Sequence, residues 1–225
     1  YVVLIIALLF LQAYCDLSLP DYTSRIVNVG IQQKGIEDGV PEKLRKSSMD
    51  SLALFMSEED AAEVLAAYQE EGSNYVLKED IDKETRESIN GMLGKPMLIL
   101  SGLTEGGEES EIMLAEMGIP KGTDPVQAIS AMPEEARAQM ADALEEKFQE
   151  MPESIITQAA VAWVQAEYEA LGEDIDEIQM QYIGEAGLKM VLMALLIMAA
   201  SISVVFLSAK VAASLGHDIR GDVYR

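Results

Sequence analysis

The chain has 225 residues, with 39 acids against 16 bases and a formal net charge of −23, yet 49% of it is apolar and its mean hydropathy is +0.11. A nucleic-acid binder would need clustered Lys and Arg for phosphates, and this balance argues against one. The single cysteine, Cys15, allows no internal disulfide and no cysteine zinc site, and the lone His217 leaves no His-paired metal motif.

High charge and positive hydropathy belong to different parts of the chain. Residues 32–185 hold 35 acids and 11 bases, net −24, and the two ends together hold 4 acids and 5 bases. Three regions are expected: 1–31, a first transmembrane helix with its outer extension; 32–185, an acidic, mainly helical extracytoplasmic insert; and 186–225, a second transmembrane helix continuing into the cytoplasm. The expected fold class is an all-α membrane protein fragment, two long transmembrane helices flanking the acidic domain, with allowance for one short strand pair.

Tyr1 to Cys15 carry no charge, but a span needs about 20 apolar residues. With no initiator Met and no basic segment ahead of the run, the chain is expected to begin inside a longer protein. A signal peptide is the rival reading, and its small-residue cleavage pattern is missing. Asp16 closes the run beside Ser18 and Pro20, either facing a cavity or marking the outer boundary. Pro20 loosens the helix by removing one backbone bond.

Helix signals recur through the middle. Ser57 with the acids up to Asp60 resembles a capping box, followed by Ala61, Val64, Leu65 and Tyr68 at helical spacing until Gly72. Ile81, Thr85, Ile89 and Leu93 set a four-residue rhythm that Gly94 and Pro96 are expected to stop. The runs Tyr75–Leu77 and Met97–Leu100 are strand candidates, and Gly102 to Gly107 reads as a surface turn. Asp124 before Pro125 starts another helix. Pro133 starts the next, with Ala136, Met140, Leu144, Phe148 and Met151 on one face. Pro152 opens the last, striped by Ile155, Ala159, Trp163 (or Ala162), Ala166 and Ala170 and closed by Gly172. Trp163 is expected to anchor the core.

Met190 to Ala209 gives twenty residues without a charge, the length of a hydrocarbon core. Lys189 and Lys210 can snorkel to the two interfaces, and Ala199, Ala200, Ser201 and Ser203 permit close helix packing. The helix is expected to run on unbroken from Gly187 to Tyr224, about 57 Å at helical rise. Lys210, Arg220 and Arg225, against Asp218 and Asp222, are expected to put its far end in the cytoplasm, so both chain ends are expected to be cytoplasmic and the acidic middle outside.

Chemistry-bearing motifs are sparse. Gly94-Lys95 is followed by Pro96 and is no phosphate loop. The acids at Asp80, Asp82 and Glu84, and at Asp174, Asp176 and Glu177, lack the glycine and terminal Glu of a calcium loop. Thirteen methionines fall mainly on apolar stripes and read as core filler.

Two stretches carry a resemblance. Asp16, Leu17, Leu19 and Pro20, then Ile26, Val27, Asn28, Gly30 and Ile31, are similar to the D-L-x-L-P and I-V-N-x-G-I pattern of the first membrane helix in bacterial ABC exporters of the multidrug and lipid-flippase type. Gly216, Asp218, Ile219, Arg220, Val223 and Tyr224 resemble the pattern with which the second helix of that family descends into the cytoplasm. The departure is the large insert between them, where the family usually has a short loop.

The resemblance implies a bacterial, multi-pass cell-membrane half-transporter exporting an unknown substrate by alternating access. It implies a second half-transporter, identical or not, as partner within the lipid bilayer, and no nucleic acid. ATP and Mg are implied for a nucleotide-binding domain outside this stretch, in which no catalytic, cofactor or metal residue is expected. Asp16, Pro20, Asn28, Gly30, Gly216, Asp218 and Arg220 become candidates for pathway wall and transmission. Two other classes stay open: a mechanotransmission-type permease with a large outer domain, and a receptor or adhesion module on a helical hairpin.

Overall fold

The computed structural model describes residues 2–104, 119, 124–133, 136 and 151–223. The described elements are α1 (Val2–Arg25), a π-helical continuation (Ile26–Gln32), β1 (Lys43–Arg45), α2 (Lys46–Ala53), α3 (Glu58–Ala66), β2 (Tyr68–Glu71), β3 (Asn74–Leu77), α4 (Lys83–Thr104), α5 (Pro125–Ser130), α6 (Glu153–Leu171) and α7 (Ile175–Val223). The molecule is mostly helical, with few strands and two long apolar helices. It divides into two compact units, residues 1–35 with 177–225, and residues 36–176. The boundaries drawn from charge, 31/32 and 185/186, both fall inside the first unit. Charge reports solvent, whereas α7 starts at Ile175, well ahead of its apolar run.

Several elements sit where local chemistry puts them. Ser57 caps α3, its Oγ accepting from the Asp60 N–H at 3.1 Å. Asp124 caps α5 by accepting from the Val126 N–H at 2.9 Å, with Pro125 in the first turn. Gly172, at φ 77°, closes α6 in the left-handed conformation that glycine adopts without a Cβ penalty. The face expected over 136–151 and the turn beyond Thr104 lie almost wholly outside the described residues.

Other expectations are corrected. Met97–Leu100 is helical, and Gly94 and Pro96 do not stop the helix: α4 runs through both to Thr104, so Gly102 is helical too. Proline inside a helix costs about 3 kcal/mol. Ile89, Leu93, Met97, Leu100 and Leu103, at helical spacing, are each 3% exposed or less. Full burial of each such side chain stabilises by about 1.5–3 kcal/mol, so packing outweighs the proline. Gly94 admits α6 closely, since a Cβ there would meet Ile156 Cγ2 at 2.9 Å.

Tyr68 lies in β2, not in a helix ending at Gly72. Gly72, at φ 61°, is the first central residue of the two-residue turn joining β2 to β3, where a hairpin favours positive φ. The antiparallel sheet has three strands in the order β1-β3-β2, exceeding the single pair allowed for.

The core of the 36–176 unit forms where α4 packs on α6, with α2, α3 and β1 around them. Leu44, Leu52, Val64, Ile89, Leu93 and Val164 are fully buried. The α6 stripe is displaced: Ala160, Val161, Val164, Glu167 and Tyr168 are buried, while Ile155, Ala166 and Ala170 are exposed. Trp163 is only half-buried and does not anchor the core.

Gly39 sits against α6 with no room to spare. Its N–H donates to Asn90 Oδ1 at 2.8 Å, and a Cβ would lie 2.8 Å from Ala160 Cβ. Gly39→Ala is expected to cost about 1–3 kcal/mol by overpacking. Urea unfolding of the detergent-solubilised chain, followed by Trp163 fluorescence, checks it.

Candidate functional site

In the unit of residues 1–35 and 177–225, α1 passes into a π-helical turn, and Gln33 N–H donates to Asn28 O at 3.1 Å. Pro20 has no N–H to give the Asp16 carbonyl, four residues earlier. Ser18 Oγ donates to Tyr14 O at 2.8 Å and Thr23 Oγ1 to Leu19 O at 3.1 Å, so these hydroxyls are satisfied within their own helix. Asp16 and Pro20 are exposed, and Cys15 is buried. Asn28 Nδ2 donates to Ser24 Oγ at 3.1 Å.

Gly30 has a clear physical role. It is buried, and a Cβ there would lie 2.9 Å from Ile183 Cγ1 and 3.4 Å from Tyr182 Cδ1. Gly35, at φ 84°, comes as close to α7, where a Cβ would sit 3.0 Å from the Ile178 carbonyl oxygen. Gly216 differs: nothing lies within 4 Å of its Cβ position, so the described residues place no steric demand for glycine there. Gly216, Asp218 and Arg220 lie near the far end of α7, about 50 Å along the helix from Ile183. The two motif halves therefore make no single site.

The 36–176 unit holds the polar geometry. Glu167, 3% exposed, accepts four hydrogen bonds: from the Arg45 N–H at 2.7 Å, Arg45 Nε at 3.0 Å, Arg45 Nη2 at 2.7 Å and Ser48 Oγ at 2.8 Å. Burial pushes its carboxyl up, but the Arg45 and Ser48 bonds outweigh it and hold it below the ordinary value of 4.5. Beside this group, a cleft of about 290 Å³ opens between α2, α4, α5 and α6, with Trp163 in its wall.

A second cluster fastens the segment leading into β1. Arg86 grips Asp38 through Nε at 2.7 Å and Nη2 at 3.1 Å, and Glu42 through Nη1 at 2.8 Å. The bonds to Asp38 hold its guanidinium above the usual range despite burial. Tyr68 Oη donates to Pro41 O at 2.9 Å, and Tyr168 Oη accepts from the Glu42 N–H at 2.8 Å. Burial pushes the Tyr168 phenol up to about 12.

Asp82 and Asp174, members of the two acid clusters that lack a calcium loop's pattern, serve helix starts. Asp82 Oδ1 accepts from the Thr85 N–H at 2.8 Å, and Asp174 Oδ1 from the Asp176 N–H at 3.0 Å. The Glu167 and Arg86 clusters were missed from sequence. Glu167 falls in register with Ala160 and Val164, and a charged residue inside an apolar stripe disguises its period.

No family model, curated protein or solved structure matches the chain.

The Glu167 site has a pH signature. Because the folded-state value is lowered, its contribution is present above pH 4.5 and is lost as pH falls through the folded value. Arg45 is 43% exposed at its side chain, so screening puts the pair below the worth of a fully buried one. Glu167→Gln is expected to cost about 2 kcal/mol at neutral pH and to flatten the acid limb of stability against pH. Urea midpoints from pH 3 to 7 check both.

Proposed function

We propose that the chain is part of the membrane domain of an ATP-driven exporter. Its two apolar helices cross a bilayer, and residues 36–176 stand outside the cytoplasm. The observation that carries this reading is the continuity of α7 from Ile175 to Val223, 49 residues. That is about 73 Å of helix against a hydrocarbon core of about 30 Å. A rod of this length joins one face of the membrane to the other and extends well past it. A simple anchor needs only the span.

Two features add support. The first is the resemblance of residues 16–31 and 216–224 to the exporter helices, in the right order. The second is Gly30, a residue of that pattern, at a close approach to α7. In this reading, Gly30 keeps the helix pair together at its outer end and α7 carries displacement along its length. Asp16, on an exposed face, adds a polar group to the pathway wall. ATP hydrolysis and most of the pathway belong to the rest of the parent protein and a second half-transporter.

Topology and energy source are tested separately. In a Cys15→Ala background, Gln69→Cys is expected to react with a membrane-impermeant maleimide on intact cells. His217→Cys should react only after permeabilisation. The reverse pattern, or equal labelling, overturns the topology. The purified parent protein is expected to hydrolyse ATP with vanadate sensitivity. Hydrolysis confined to a separate soluble subunit would instead mean a permease with a large outer domain, and its absence from both overturns transport by ATP.

A further inference from the structure

The cleft beside Glu167 belongs entirely to the 36–176 unit and stands independently of the membrane reading. At about 290 Å³ it lies near the small end of ligand pockets, which span about 300–1,000 Å³. Its wall combines three kinds of group.

The first is aromatic. Trp163 is half-buried on α6, and its neighbours in the wall, Ala162 and Ala166, are too small to cover an indole. The second is a set of hydroxyls whose hydrogens are already committed. Ser51 Oγ donates to Ser47 O at 2.8 Å, Thr104 Oγ1 to Leu100 O at 2.7 Å, and Ser48 Oγ to Glu167 Oε2 at 2.8 Å. Each keeps lone pairs that can accept from a ligand. The third is the ion pair. Arg45 spends Nε and Nη2 on Glu167, which leaves Nη1 as a donor at the cleft, while the two formal charges cancel.

This combination decides the class of ligand. Entering a small site costs an ion its hydration, and only an opposing charge repays that. Among the described wall residues, the one carboxylate and the one guanidinium already satisfy each other, so neither cations nor anions find an uncompensated partner there. A purely apolar ligand would leave the hydroxyl lone pairs and Nη1 dry and unpaired. A ligand with several O–H donors, ring or hydroxyl oxygens for Nη1, and a C–H face for the indole meets all three demands. We propose that this cleft binds a neutral saccharide unit, with Trp163 as the stacking platform.

Trp163 is the only tryptophan in the chain, so a fluorine label on it reports from the site alone. The whole chain, labelled with 5-fluorotryptophan and held in lipid nanodiscs, is titrated with glucose, N-acetylglucosamine and maltose, and in parallel with choline and inorganic phosphate. At least one sugar is expected to shift the fluorine resonance saturably, with Kd on the order of 1 mM. Thr104→Val and Ser51→Ala should each weaken that sugar by about 2–10-fold, the worth of one hydrogen bond, with the urea midpoint unchanged. No saturable shift with any of the sugars overturns the proposal. So does an equal affinity in both variants, or a shift produced by choline or phosphate alone. None of these results bears on the labelling or ATPase outcomes.

Discussion

Where the chain leaves the first apolar helix, its backbone lies close against the start of the second. A Cβ on Gly35 would sit 3.0 Å from the Ile178 carbonyl, and one on Gly30 would sit 2.9 Å from Ile183. Lys34 and Gly35 both take positive φ, 55° and 84°, to turn the chain there, and Lys34 Nζ reaches Gln179 Oε1 at 3.5 Å. The two ends of a 36–176 insertion are thereby neighbours. Loop closure depends only logarithmically on the length between such ends. A unit of this size can therefore sit between two helices at little more entropic cost than a short loop, provided its own core supplies its stability. Glycine at 30 and 35 is the steric condition for that closure.

Inside the insert the constraint is electrostatic, because a strongly acidic unit repels itself. Its few cations are placed where they do most. Arg86 holds Asp38 and Glu42, Arg45 holds the buried Glu167, Lys43 meets Glu173 at 2.9 Å, and Lys46 pairs with Glu70. Six of the remaining acids lie at helix starts: Glu58, Glu59 and Asp60 in the first turn of α3, and Asp82, Asp124 and Asp174 as caps. There the exposed N–H groups and the helix dipole favour negative charge. Both clusters also fasten the segment 38–45 to α4 and α6, tying the entry of the unit to its most buried helices.

What could be read in advance depended on how local the cause was. Caps and stops set by one or two side chains, at Ser57, Asp124, Pro152 and Gly172, stand in the structure as the sequence implies. The failures share a nonlocal cause. Pro96 remains helical because the faces on either side of it are buried by α6, and no window of sequence contains that partner. Gly72 was a readable case, since Gly-Ser between two short runs is a hairpin signal, but the helical spacing before it masked the strand at Tyr68. At the site level, Gly30 could be singled out by its pattern and its role is steric. Glu167 and Arg45 could not be, because 122 residues separate the partners of each bond.

The long helix is held by a different balance again. Over its apolar stretch α7 buries almost nothing against the rest of the chain: Leu192, Leu195, Met198, Ile202 and Phe206 are all exposed. Packing therefore cannot be what keeps it helical. In hydrocarbon, each unpaired backbone group costs several kcal/mol, so a chain there remains hydrogen-bonded to itself. Gly184 and Gly187, at about 1 kcal/mol each relative to Ala, are too weak to break it. The same argument makes the exposed apolar surface of α1 and α7 a statement about solvent. The net acidity is carried by residues 32–185, and the long uncharged stretches of α1 and α7 are long and apolar enough to cross a membrane. The acidity that dominates the composition thus has little part in the apolar stretches of α1 and α7. Nor does it choose the ligand of the Trp163 cleft, where one guanidinium and one carboxylate have already cancelled.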